Sequence, residues 1–231
     1  MNYDFISKIY NKRAIDKIQS KIDNLGSLNK LTTKTFLKKR LIISIIIFFL
    51  SLYIFDYGYV IGPILTFVYY VMYERIILDK KIKRRRELLE GEAMQFFEVL
   101  TLSLETGRNL EEGLNVTISS VNGELSNEFK EAIRETKFGK SLRESLLDMQ
   151  KRIPSESINN IVIALTHANM YGSSIINTMY NQVDYLREKK KMEIKAEISK
   201  IPIKISVVSV IFFIPLILLI ILGPIVLSYI G

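Results

Sequence analysis

Cysteine and tryptophan are absent from this 231-residue chain, and histidine occurs once. Without cysteine there can be no disulfide and no thiolate ligand or nucleophile, so stability has to come from packing. The single histidine, His167, follows Ile163 and Ala164 in a helical pattern and has no second imidazole to complete a metal site, so it reads as a structural or surface residue. Charge is also missing locally. Residues 41–73 contain no Lys or Arg and only Asp56 as an acid, and residues 205–231 contain no charged side chain, although the whole chain carries a formal net charge of +8.

These charge-free stretches predict membrane segments. Ile205 to Leu222, "ISVVSVIFFIPLILLIIL", is close to the roughly 20 residues needed to cross a hydrocarbon core. The 41–73 stretch is too long for one ordinary crossing and is interrupted at "FDYGYVIGP" by Asp56, Gly58, Gly62 and Pro63, all turn or breaker signals. It predicts a transmembrane hairpin of about 41–56 and 59–73. Basic flanks support this: residues 1–40 hold 10 Lys/Arg against 3 Asp/Glu, and "RIILDKKIKRRR" at 75–86 holds 7 more. A hairpin places both flanks on the cytoplasmic side, and Lys200 and Lys204 place the start of the last helix there too. The expected topology is a cytoplasmic N-terminus, three crossings of the cytoplasmic (inner) membrane and a C-terminus outside.

Forty mostly polar residues precede the first apolar run, which is not the layout of a cleavable signal. Within this basic cytoplasmic arm, Ile15, Ile18, Ile22 and Leu25 recur at helical spacing among Lys12, Arg13, Lys17 and Lys21. Two readings stand: a helix lying on an anionic leaflet, or a partly disordered basic arm whose only role is orientation.

Between 74 and 204 the chain repeats itself. "GRNLEEGL" at 107–114, "GKSLRESL" at 139–146 and "GSSIINTM" at 172–179 share one arrangement at intervals of 32 and 33 residues, a period typical of repeated helical units. Gly107, Gly139 and Gly172 are placed to stop a helix in the left-handed conformation, and Asn109, Ser141 and Ser174 to cap the next one. Ser141 and Glu144 have capping-box spacing. A β-branched residue at Gly107 or Gly172 is expected to unfold the bundle. Apolar stripes beginning at Ala93, Leu110, Leu125, Leu142, Ile158 and Ile176 predict six amphipathic helices, with further breaks at "VNGEL" and "RIPSES". The expected fold is therefore an all-α membrane protein: a six-helix antiparallel cytoplasmic bundle (74–204), an N-terminal transmembrane hairpin and one C-terminal transmembrane helix (205–231). The last stripe continues through Ile194, Ile198 and Ile201 into the final span, with Pro202, Pro215 and Pro224 as expected kinks.

Chemical motifs are weak by comparison. "GKS" at 139–141 lacks the earlier glycine of a phosphate-binding loop, since position 134 is Arg134. Carboxylates such as Glu111, Glu112, Glu131 and Glu135 alternate with Lys and Arg as on a solvated face. Asp56 is the only ionisable group of the apolar stretches, so a transport path has little support. The polybasic run "KKIKRRR" follows an apolar segment and is explained by anionic lipid and topology without nucleic acid. No enzyme, cofactor or metal site is expected.

"LSLETGRNLEEGL", "FGKSLRESLLDM", "ALTHANMYGSSIINTM", "KIPIKISVVSVIFFIP" and "LGPIVL", in this order, resemble the F domain of type II secretion and type IV pilus machines over residues 75–231. Gly107, Gly139 and Gly172 match the family's recurrent glycines, and Pro215, Gly223 and Pro224 its proline-marked last span. One such domain behind a short hairpin resembles the tight adherence (Tad) pilus platform proteins TadB and TadC. The resemblance implies a non-enzymatic inner-membrane platform that contacts a hexameric assembly ATPase, pilin subunits and a second F-domain protein, either a paralogue or another copy. The candidate contact residues are Arg108, Glu111, Glu112, Lys140, Arg143 and Glu144, near helix ends. The competing class is a membrane-anchored helical scaffold or sensor that binds a cytoplasmic signalling partner.

Overall fold

The structure is a computed structural model, and it describes residues 10–27, 29, 31–54, 58–171 and 175–230. Every regular element among these residues is helical. The chain divides into two units, Met1–Val183 and Asp184–Gly231.

In the first unit, α1 (Lys12–Asp23) precedes a helical pair, α2 (Thr33–Ile54) and α3 (Gly58–Glu74). Arg40 donates to the Tyr70 carbonyl at 2.7 Å, Phe36 stacks near Tyr73, and Gly62 faces Ser51. Contacts that fall on one helix as they rise on the other mean that the pair is antiparallel. Gly62 and Pro63, expected to break the chain, instead lie inside α3. A Cβ at Gly62 would lie 2.6 Å from Ser51 Oγ, so the glycine permits close helix approach. α2 also begins earlier than the expected span, and its charge-free part, Leu41 to Ile54, is about 21 Å long at about 1.5 Å per residue. Asp56 lies outside the described residues.

No loop follows α3. A π-helical segment, Arg75–Asp79, joins it directly to α4 (Lys80–Glu105). α5 (Leu110–Ser120), α6 (Glu124–Lys137), α7 (Leu142–Gln150) and α8 (Glu156–Tyr171) follow through short turns. Asn109 Oδ1 accepts from Glu112 N at 2.9 Å and caps α5, and Ser141 and Glu144 form a full capping box on α7. The start of α6 is capped from outside its own sequence: Glu92 of α4 accepts from Leu125 N at 2.8 Å, satisfying one of the N–H groups a helix start leaves unpaired.

The core of α4 to α8 follows from the apolar stripes. Phe96 stacks on Phe129 at 4.5 Å, while Phe97 meets both rings edge-on. Leu89, Leu100, Leu114, Leu125, Leu146, Ile158 and Leu165 are fully buried around them, and Met179 and Val183 at the start of α9 (Ile175–Ile230) are buried as well.

The second unit consists of the remainder of α9. Ile175–Leu222 and the continuous helix Gly58–Glu105 are the two described helices long and apolar enough to cross a membrane, with peak mean hydropathy of 3.2 and 1.4. α9 runs through Pro202, Pro215 and Pro224 without ending.

Candidate functional site: a buried ionic junction and a polar end face

α1 is amphipathic, but its apolar face meets protein. Ile18 and Ile22 are buried against Phe36, Leu37 and Leu78, with Ile15 and Leu25 packed alongside. Of the two readings of the N-terminal arm, neither anticipated this: the isoleucines are not available to a leaflet, and α1 is an integral part of the fold. Polar contacts lock the same helix. Lys21 Nζ reaches Glu74, just before the π-helical segment, and Asp79, its last residue, each at 2.7 Å, and Arg40 lies 3.5 Å from Glu74. Burial disfavours the Lys21 ammonium, but hydrogen bonds to Asp79 and Glu74 outweigh it and raise the pKa above the ordinary lysine value. A π turn inserts one residue into a helix and is frequent at functional sites. Here it marks the junction between the apolar pair and the packed helices.

About two helical turns further on lies a buried ionic cluster. Arg85 is almost fully enclosed; it pairs with Glu124 and with Glu128 at 2.8 Å, and donates to the carbonyls of Asn24 (2.9 Å) and Arg152 (2.6 Å). Glu128, also enclosed, accepts from Arg152 Nε at 3.1 Å and from Ser27 N at 2.9 Å. Four chain segments thus converge on two side chains: the turn after α1, the start of α4, the start of α6 and the α7–α8 turn. Ser155, in that last turn, donates to Glu90 at 2.8 Å.

Sequence reasoning missed this cluster by reading Arg85 as one more charge of "KKIKRRR". A signal was present: Arg85, Leu89, Ala93, Phe96 and Leu100 share one helical stripe, which places the arginine on the buried side. Glu128 sits likewise between Leu125 and Ala132 on the buried side of α6.

The same pairings place the predicted contact residues. Glu92 meets Leu125 and Phe96 meets Phe129, so α4 and α6 run side by side in one direction and their ends, at Glu105 and Lys137, come to the same level. Arg108, Glu111 and Glu112 of the Gly107 turn therefore share an end face with Lys140, Arg143 and Glu144 of the Gly139 turn. Gly172 lies outside the described residues. Several of these groups already have intramolecular work. Lys140 pairs with Glu135 and with Asp148 at 3.0 Å, Glu144 closes the capping box, and Arg108 donates to Thr106 at 2.8 Å. Hydrogen bonds from Lys151 and then Lys140 hold the Asp148 carboxyl down at about 2. Arg143, Glu111 and Glu112 are exposed, and so is Phe138 between the two charged groups of the turn, at 83%.

Gly107 and Gly139 take φ of +84° and +95°. Nothing lies within 4 Å of a Cβ built at either position. Gly107→Val should therefore cost only backbone strain, about 1–2 kcal/mol, less than the unfolding expected from sequence. Thermal melts of the variant in detergent check this, and Gly107→Ala should show a similar loss.

Among the described residues no group of three or more His, Asp or Glu side chains is arranged to hold a metal ion. What the geometry supplies is an apolar helical pair continuous, through the π segment, with a packed helical array that carries a polar face at its far end. A family model for type II secretion system protein F matches residues 96–223, more than half of the chain, from the aromatic core of α4 into the apolar end of α9. The chain belongs to the type II secretion system protein F family. Members of this family are non-enzymatic membrane platform proteins, and membership gives the chain a platform role in secretion or pilus machinery in general. With its two long apolar helices, it is an inner-membrane protein. Comparisons with curated proteins and with solved structures gave no match.

Proposed function

We propose that the chain is a platform subunit of a Tad-like type IV pilus or type II secretion machine, coupling a hexameric cytoplasmic ATPase to extraction of pilin subunits from the bilayer. In this reading α2 and α3 cross the membrane as a hairpin and α9 crosses once. A cytoplasmic six-helix bundle lies between them, and a second F-domain protein, a paralogue or another copy, completes the platform. The observation that carries it is the extent of the family match, which joins the packed helices to an apolar helix within one matched segment. The direct connection of α3 to α4 through the π segment supports it, because displacement of the bundle would then act on the apolar pair without an intervening flexible loop.

The end face with Arg108, Glu111, Glu112 and Arg143 is the surface offered to the ATPase, being the end farthest from the hairpin. Cross-linking in native membranes, purification of the tagged chain and mass spectrometry of the products test the proposal. The expected result is recovery of a hexameric secretion-type ATPase and a second F-domain protein, with cross-links at Lys137 or Lys140. Recovery of signalling proteins alone, with the motor expressed, would replace the platform with the scaffold alternative.

A further inference from the structure

Three of the four cations of α1 face away from the protein, the fourth being the Lys21 that is tied to Glu74 and Asp79. Lys12, Arg13 and Lys17 are exposed on the side opposite Ile18 and Ile22. Lys12 and Arg13 also occupy the first turn of α1, where no acid is present and where the positive end of the helix dipole makes cations locally unfavourable. A helix selected only to pack on this core would place acids there. Asp16 lies one turn further on, and a negatively charged surface outside the protein would offset what repulsion remains.

Two other segments bring exposed cations to the same level. Lys38 and Lys39 directly follow Phe36 and Leu37, and Lys80 follows Leu78 by two residues; all three apolar residues belong to the small core that holds α1. The acids nearest that core do not neutralise them, since Glu74 and Asp79 are engaged by Lys21 and Arg40. Just beyond Lys39 and Arg40 the charge-free part of α2 begins at Leu41. Exposed cations of three helices thus flank the core at the base of the apolar pair, where the headgroups lie if that pair spans a bilayer.

We infer that α1, the start of α2 and the start of α4 form one composite surface that binds the headgroups of anionic phospholipids. This rests on the proposed crossing of α2 and α3. Recognition is purely electrostatic: because the isoleucines of α1 are buried in protein, the helix does not insert, and the usual apolar contribution of an interfacial helix is missing. Lipid selectivity should therefore disappear with salt, whereas an inserted amphipathic helix would retain much of its binding.

The full chain in nanodiscs of mixed phosphatidylcholine and phosphatidylglycerol provides the test. With no native cysteine, Asp16→Cys gives a unique labelling site on α1, and energy transfer to trace labelled lipid of each type reads local composition. At about 0.05 M salt phosphatidylglycerol should be enriched about three-fold or more over phosphatidylcholine near α1. Parity is expected at about 1 M, where the screening length is about 3 Å. Lys12→Glu, Arg13→Glu and Lys17→Glu together should remove most of the low-salt enrichment, with protease resistance of α1 unchanged because these side chains point outward. Equal transfer to both lipids at low salt would overturn the inference and leave the platform reading intact. Failure of the chain to enter nanodiscs would overturn both. Displacement of phosphatidylglycerol by a short duplex oligonucleotide at equal phosphate concentration would assign the surface to nucleic acid instead.

Discussion

Glu128→Ala should destabilise the protein by about 3–5 kcal/mol, the range for removing one member of a buried ion pair. Its carboxylate is 3% exposed and faces Arg85 at 2.8 Å and Arg152 at 3.1 Å, while Arg85 itself is 6% exposed. Truncation leaves two guanidinium groups in a place from which water is largely excluded. Arg152 is especially vulnerable, since its Nη2 is already buried without a partner and its other carboxylate contact, to Glu135, is longer at 3.4 Å. Glu128→Gln keeps an acceptor in the same volume and should lose less. The Ser27 amide loses its acceptor as well, so limited proteolysis should cut the α1–α2 turn earlier in the variant than in the parent. A urea titration of the protein in detergent measures the main effect. A change within about 0.5 kcal/mol, typical of surface sites, would mean that the cluster is hydrated and unimportant.

Phe129→Ala should cost a similar amount, about 3–5 kcal/mol, by a different route. The neighbouring side chain on α6 points into the apolar core, stacked on Phe96 at 4.5 Å and edge-on to Phe97 at 6.1 Å. Its removal opens a cavity among rings that are themselves fully buried and too large to close it by small shifts. Phe129→Leu should recover much of the loss because it returns most of the volume. The two variants separate what holds α6: Glu128→Ala should sensitise the turn after α1 to protease, while Phe129→Ala should loosen α4 to α8 with that turn less affected. Melting curves together with the digestion pattern distinguish them.

Much of the architecture was legible in the residues because helices advertise themselves locally. The apolar period, the Asn109 cap, the Ser141–Glu144 box and the left-handed glycines at 107 and 139 all act within a few residues, so spacing alone reveals them. The apolar runs and the absence of cysteine are likewise properties of composition. Where local signals misled, a distant partner had intervened. Gly62 and Pro63 resemble a break until Ser51 of the preceding helix approaches them, and α1 resembles a surface helix until Phe36, Leu37 and Leu78 cover its isoleucines.

The candidate site divides in the same way. Arg108, Glu111, Glu112, Lys140, Arg143 and Glu144 were recognisable as helix-end charges, but only the alternation of antiparallel helices puts both turns on one face. Periodicity shows which side of a helix is apolar; it does not show what that side meets. Arg84, Arg85 and Arg86 are adjacent and chemically identical, yet the two flanking residues are exposed and Arg85 is buried. Its role depends on Asn24, Glu124, Glu128 and Arg152, separated from it by 39 to 67 positions. The sequence by itself determined that helices form, where the capped ones of the packed array start and stop, and which runs are apolar enough for a membrane, because short-range geometry and solvation decide those. Which charges are buried as structural ties and which stay free to meet lipid or partners was decided only when the chain closed on itself.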